Sequence, residues 1–277
     1  MSVRPSQPPG KNLETPRLQD PMRPAETTPT VSRSRRQAPK RPATLTSMQS
    51  SPAPVIVDRA PGAAGELILR KSGPHYEIIS NGVFLMDTRD GASERLLVTA
   101  ALDHHPPPAD ILIGGLGVGF SLAAAAAHPH AGTITVIERE PAVIAWHRTH
   151  LRPCSAGALD DPRVRLHQAD LLTWLHRNPR PHHVICLDID NGPDWTVSDG
   201  NARLYQPSGL RLLADRLTPD GTLAVWSAAP SPAFRRRLRD HFTHVTTRTV
   251  PHRRAHPDVI YLARHPRGVS HPTPPHF

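Results

Sequence analysis

Residues 111–127 read ILIGGLGVGFSLAAAAA, an apolar run that breaks into three glycines, Gly115, Gly117 and Gly119, before resuming as alanines. The run before the break reads as a strand and the run after it as a helix. Glycine lets the backbone turn, or approach a bulky neighbour, where a Cβ would clash. Between a first strand and a first helix, such residues leave a hollow at the carboxyl end of the sheet facing a helix N-terminus, which is where open α/β folds bind nucleotides.

Outward toward the C-terminus, strand-like and helix-like segments alternate, the pattern of a mostly parallel sheet covered on both faces. Strands are expected at 111–114, 133–137, 164–167, 184–188 and 222–226, and helices at 121–127, 142–150, 171–176 and 208–217. HVTTRTV (244–250) and VIYLARH (259–265) lie a short loop apart and read as an antiparallel pair closing the sheet. Outward toward the N-terminus, SERLLVTAALDHH (93–105) reads as a helix with Leu96, Leu97, Ala100 and Ala101 on one side, stopped by Pro106, Pro107 and Pro108. Before it, GELILRKSG (65–73) alternates weakly, and YEIISNGVFLMDT (76–88) carries Asn81-Gly82, the pair that supplies both positive φ angles of a type I′ hairpin turn.

The expected class is therefore α/β: a Rossmann-like, mostly parallel sheet over 107–266, preceded by a small β-hairpin domain with its helix over 63–106. Residues 1–62 are Pro, Ser, Thr and Arg with little hydrophobic periodicity, so they cannot bury enough surface to offset the entropy of ordering. That extension is expected to be disordered, as is the tail 267–277. Met48 opens a shorter frame and offers an alternative start of translation.

The net charge of +9 invites a nucleic-acid reading, but much of the excess sits in the proline-rich head, and RRRLR (235–239) fits the exposed face of a helix. Nucleic acid is not the expected partner. The two cysteines, Cys154 and Cys186, lie far apart without a CxxC, which argues against a disulfide framework and a zinc site. None of the 18 histidines falls in an HExxH, and no metal is expected. With no signal-like apolar region and no membrane-length run, the expectation is a soluble cytoplasmic protein.

The spacing of the glycines narrows the ligand. A dinucleotide fingerprint would place glycine at position 120, where Phe120 stands, and a Walker loop would need a GK[ST] that is absent. The GxGxG form resembles motif I of class I S-adenosylmethionine-dependent transferases. Glu138 ends the next strand, and an ionised carboxylate accepts from both ribose hydroxyls. Asp170, with Leu171 beside it, follows the strand after that, where a short acid could accept from an adenine amino group. Asp188 ends the fourth strand beside the same crevice. A lone acid after a strand is usually a helix cap or a solvated turn; one glycine-rich and three acidic tips in chain order are harder to explain that way.

Together, the hairpin sheet, the glycine turn, VIEREPAVIAW (136–146), DDPRVRLHQAD (160–170), VICLDIDNGP (184–193) and RLYQPSGLRLLADRLTPDGTLAVW (203–226) resemble spermidine synthases, the polyamine aminopropyltransferases, over roughly residues 65–265. The resemblance implies nucleoside binding by Gly115, Gly117, Gly119, Glu138, Asp170 and Leu171. It also implies a catalytic Asp188 facing the reacting amine. Departures fall on the acceptor side. The family's GGGDGG has its acid where Val118 stands, its Tyr-rich YxE helix segment becomes SERLLVTAAL, and its DxxD becomes Asp188 to Asn191 with Asp190 between. Asp190, Asn191 and Tyr205 are the candidate acceptor-binding residues, with Asp194 and Asp199 extending an acidic rim. The segment 191–206 is expected to form a lid, with Trp195 and Tyr205 either lining a pocket or packing the segment down.

The implied reaction moves an aminopropyl group from decarboxylated S-adenosylmethionine to a small-molecule amine. Methyl transfer from S-adenosylmethionine and a non-catalytic nucleoside-binding homologue are the alternatives. A second copy of the chain is a further candidate partner.

Overall fold

The computed structural model describes residues 53–196, 199–251 and 256–268. The disorder expected of 1–52 and 269–277 and the alternative start at Met48 fall outside those residues. The last part of the expected extension is instead a strand. β1 (Val55–Gly62) pairs antiparallel with β2 (Gly65–Ser72), which continues through β3 (His75–Ser80) to β4 (Val83–Asp87) in a four-stranded meander. β1 was hidden in the sequence because Val55 and Ile56 are exposed and its register slips between Ile56 and Asp58, so no period of two survives. The β3–β4 turn has positive φ at both Asn81 and Gly82, as type I′ requires. Leu67, Leu69 and Ile78 bury one face of this sheet, and α1 (Ala92–Leu102) follows.

The second sheet has seven strands: β5 (Ala109–Gly114), β6 (Ala131–Glu138), β7 (Val164–Gln168), β8 (His182–Leu187), β9 (Leu217–Ser227), β10 (Phe242–Val250) and β11 (Asp258–Pro266). Their order is β10-β11-β9-β8-β5-β6-β7; β5 to β9 run parallel and β11 pairs antiparallel with both β9 and β10. The helices are α2 (Phe120–Ala127), α3 (Pro141–Trp146), α4 (Leu171–Arg177), α5 (Asp199–Ala202), α6 (Pro207–Asp215) and α7 (Pro232–His241). α3 stops four residues short of the expected His150, and α7 holds the RRRLR run.

Strand alternation divides the core in two. Ile111, Ile113, Val184, Cys186, Ala224 and Trp226 face the cluster under α1 to α3, while Leu112, Ile185, Leu187, Leu223 and Val225 face the cluster under α4, α6 and α7. Buried on both faces, these strands read as continuous apolar runs. Their registers align Gly114 with Ile137 and with Leu187, so the residues just past β5, β6 and β8 emerge along one edge.

Candidate active site

The chain winds from β5 outward through β6 and β7, then returns to lay β8 on the other side of β5. That reversal opens a crevice at the carboxyl ends of the strands, the place where open α/β sheets bind ligands. Gly115, Gly117, Glu138, Asp170, Leu171, Asp188, Asp190 and Asn191 all line it, and of the ten expected site residues only Gly119 and Tyr205 do not.

The glycines have separable reasons. Gly115 has φ +89°, and a Cβ there would meet the carbonyl oxygen of Asp188, which is backbone and cannot yield. The β5 and β8 tips thus touch only because residue 115 lacks a side chain. Gly119 caps α2 at φ +96°, and its Cβ would meet His147 Cε1 at 2.6 Å and Ser155 Cβ at 2.7 Å, so it serves packing behind the crevice. Val118 is fully buried in the core and presents nothing to the crevice.

Glu138 is 7% exposed and held at both oxygens: Oε2 accepts from the Leu116 backbone N–H at 2.8 Å and Oε1 from that of Glu140 at 2.8 Å. Burial pushes its carboxyl above the ordinary range, against the pull of these donors. The bond to Leu116 ties the carboxylate to the glycine turn, and each oxygen keeps acceptor capacity for a ligand. Asp170 caps α4, its Oδ1 accepting from both the backbone N–H and the hydroxyl of Thr173 at 2.8 Å. The cap reading and the site reading thus hold at the same residue.

Asp188 accepts from Ser121 Oγ at 2.7 Å through Oδ2. Burial raises its carboxyl to about 6, the Ser121 bond opposing and the nearby Asp258 adding. Glu94, on the buried side of α1, is pushed to about 7 by burial and then by Asp188. Ser93 Oγ lies 2.9 Å from Glu94 Oε2 and 2.8 Å from Asp258 Oδ2, and all three residues line the crevice. Two close carboxyls resist ionising together, so the pair sheds its protons in two steps, and the Ser121 hydroxyl favours the first charge on Asp188. Ser121→Ala removes the donor that favours this charge. The acidic limb of kcat/KM is expected to move to higher pH in that variant and to return in Ser121→Thr; a pH–rate profile checks it.

The remaining acceptor candidates divide. Asp190 accepts from Asn201 Nδ2 at 3.1 Å and is hydrogen-bonded to the Tyr205 hydroxyl. Tyr205 itself is buried edge-on against Phe234, and burial followed by Asp190 pushes its hydroxyl well above the ordinary range. It supports Asp190 from behind and does not line the crevice. Leu204 and Tyr205 pin the far end of 191–206 into the core, so a mobile cover could span only the part before them. Trp195 is exposed and borders a neighbouring apolar hollow with Asp194, while residues 197–198 and the Asp199 side chain fall outside what the structure describes.

Sequence reasoning missed Ser93, Glu94, Ser121 and Asp258. Glu94 was legible: it lies three and four residues before Leu97 and Val98, an acid on the buried stripe of a helix. Asp258 carries no local signal. Among the described residues, no three His, Cys, Asp or Glu side chains are grouped to hold a metal, and no helix is long and apolar enough to cross a membrane.

Fold and crevice define a doubly wound α/β protein with an acid-lined switch-point site behind a small antiparallel sheet. The spermine/spermidine synthase domain model matches residues 91–247, and the chain belongs to that family. It is 32% identical over 169 residues to polyamine aminopropyltransferase 2 of Pseudomonas aeruginosa, covering 56% of this chain and 46% of that protein. It is 34% identical over 179 residues to polyamine aminopropyltransferase 1 of Streptomyces coelicolor, covering 64% of this chain and 31% of that one. The matches thus span less than half the length of these curated relatives. A spermidine synthase solved in complex with the transition-state analogue AdoDATO superimposes with a TM-score of 0.64 at 18% identity, covering 78% of this chain and 75% of that one, a likeness of fold.

Proposed function

We propose that the protein transfers an aminopropyl group from decarboxylated S-adenosylmethionine to a small-molecule amine. The observation that carries this reading is the charge of the crevice. In a chain of net charge +9, the described residues lining it comprise nine acidic side chains and one cation, Arg139. Such a wall attracts ammonium groups and disfavours an anion. Decarboxylated S-adenosylmethionine ends in an ammonium alone; S-adenosylmethionine would bring its own carboxylate against those acids.

In this reading Glu138 accepts from the ribose hydroxyls, Asp170 from the adenine amino group, and Leu171 packs on the base. Gly115 and Gly117 let the chain come close. The amine nitrogen attacks the carbon bonded to the sulfonium sulfur, the carbon–sulfur bond breaks, and its electron pair passes to sulfur, leaving neutral methylthioadenosine. Asp188 orients the amine and takes the proton it must lose to attack. The donor is already activated, so alignment and exclusion of water supply most of the remaining effect. The free, widely separated Cys154 and Cys186 support a reducing, cytoplasmic setting.

One observation favours methyl transfer instead: Val118 offers no charge where the family pattern holds the aminopropyl ammonium. Calorimetric titration with both donors and with methylthioadenosine separates the readings. Tighter binding of the decarboxylated donor, with transfer to an amine, is the expected result. Preference for the carboxylated donor would shift the assignment to methylation, and no nucleoside binding would leave only a scaffold.

A further inference from the structure

Two positions that hold acids in the family pattern are uncharged here, Val118 and Asn191, yet the crevice regains an anion from another part of the chain. Asp258 opens β11, beyond residue 247 where the family match ends. Its side chain lines the crevice, the residue is 3% exposed, and among the described residues only one of its oxygens has a hydrogen-bond partner. Oδ2 accepts from Ser93 Oγ at 2.8 Å; Oδ1 is buried with no hydrogen-bond partner among the described residues. A buried carboxylate oxygen without a partner is costly, and a cation brought in by a ligand removes that cost.

Ser93 ties Asp258 to the wall of the crevice. A hydroxyl has one proton to give. Ser93 Oγ lies within hydrogen-bond distance of both Glu94 Oε2 and Asp258 Oδ2, so its one proton serves the two carboxyls between them. Ser93 Oγ holds Asp258 through Oδ2 and leaves Oδ1 for a ligand.

Sheet order gives the direction of the bound molecules. Glu138 and Asp170 belong to β6 and the loop after β7, Asp188 to the tip of β8, and Asp258 to β11, on the side of β8 away from Glu138 and Asp170. From β8 to β11 is two strand spacings, about 10 Å. We infer that Asp258, pinned by Ser93, anchors the non-reacting ammonium of a diamine acceptor, and that discrimination between diamines and monoamines resides in this residue from outside the matched family domain. The aminopropyl reading enters only in naming which amine reacts.

The test is calorimetric titration of 1,4-diaminobutane and of n-butylamine into wild type and Asp258→Asn, each with and without saturating methylthioadenosine. Wild type is expected to prefer the diamine by at least about tenfold, the weight of one charged contact, and Asp258→Asn to lose that preference while still binding methylthioadenosine. A preference that survives in Asp258→Asn, or that wild type never displays, overturns the inference. Should Asp258→Asn fail to fold, Ser93→Ala decides in its place: it leaves the charge but frees Oδ2, and the preference should shrink several-fold rather than persist. Transfer from the decarboxylated donor is assayed separately on wild type. No transfer alongside an Asp258-dependent diamine preference would sink the aminopropyl reading and leave this one standing.

Discussion

Asp188→Asn is expected to lower the rate of the proposed group transfer by about 10²–10⁴-fold, the usual contribution of a positioned general base. The asparagine carbonyl can still accept from Ser121 Oγ, so the side chain is expected to keep its place, and nucleoside affinity with it. What disappears is a group able to hold the proton shed by the amine. The pH dependence gives a second readout. As the proposed base, Asp188 would act only as the carboxylate, and burial raises its folded value to about 6. Wild-type activity should therefore fall as pH drops through about 6, and that limb should be missing from the residual activity of Asp188→Asn. Glu94, pushed to about 7, still carries much of its proton when Asp188 is charged, which prevents the two from being anions at once. Single-turnover transfer rates across pH 5 to 8 test both statements. A variant that retains wild-type kcat would remove Asp188 from the chemistry.

The parts of this site that could be read from the sequence share a physical property: each is declared by its immediate neighbours. Gly115, Glu138 and Asp188 stand at the ends of apolar runs and Asp170 at the end of the strand beside them, and parallel strands emerge along one edge, so chain order becomes spatial order. Tyr205 illustrates the limit of this logic. Its place beside an acidic loop suggested a wall of the site, but whether a tyrosine faces a crevice or supports it depends on Phe234, contributed by α7 and distant in sequence. Gly119 fails similarly: the pattern of alternate glycines does not distinguish one that faces a ligand from one pressed against His147 and Ser155.

The acceptor side was less legible because it is assembled across elements. Glu94, Ser121 and Asp258 come from α1, α2 and β11, and none completes a local motif. The sequence reading registered the loss of charge at Val118 and Asn191, where a pattern existed to compare. It could not register the replacement, because antiparallel pairing of β11 with β9 and β10 is what carries Asp258 back to the crevice. A one-residue slip in that pairing would turn Asp258 to the opposite face. Register is thus a determinant of function here, and it is fixed by Val259 and Tyr261 facing one core and Ile260 and Leu262 the other.

Glu138→Gln is expected to weaken nucleoside binding by about 10²-fold or more. Two ribose hydroxyls donating to a carboxylate are worth about 1.5–3 kcal/mol each as charge-assisted bonds, and the amide keeps only one oxygen to receive them. The geometry makes the substitution worse than loss of charge. Oε2 already accepts from the Leu116 N–H and Oε1 from the Glu140 N–H. In glutamine the amide group must replace one of these oxygens and point a donor at a donor. If it faces Leu116, the glycine turn is released from β6; if it faces Glu140, the entry to α3 is. Thermal unfolding without ligand separates the two contributions, since a released turn lowers stability whether or not nucleoside is present. Calorimetry with methylthioadenosine then reads the direct loss. Unchanged affinity in a folded Glu138→Gln would mean that the sugar is held elsewhere, and the acidic tips of β6 and β7 would revert to structural caps.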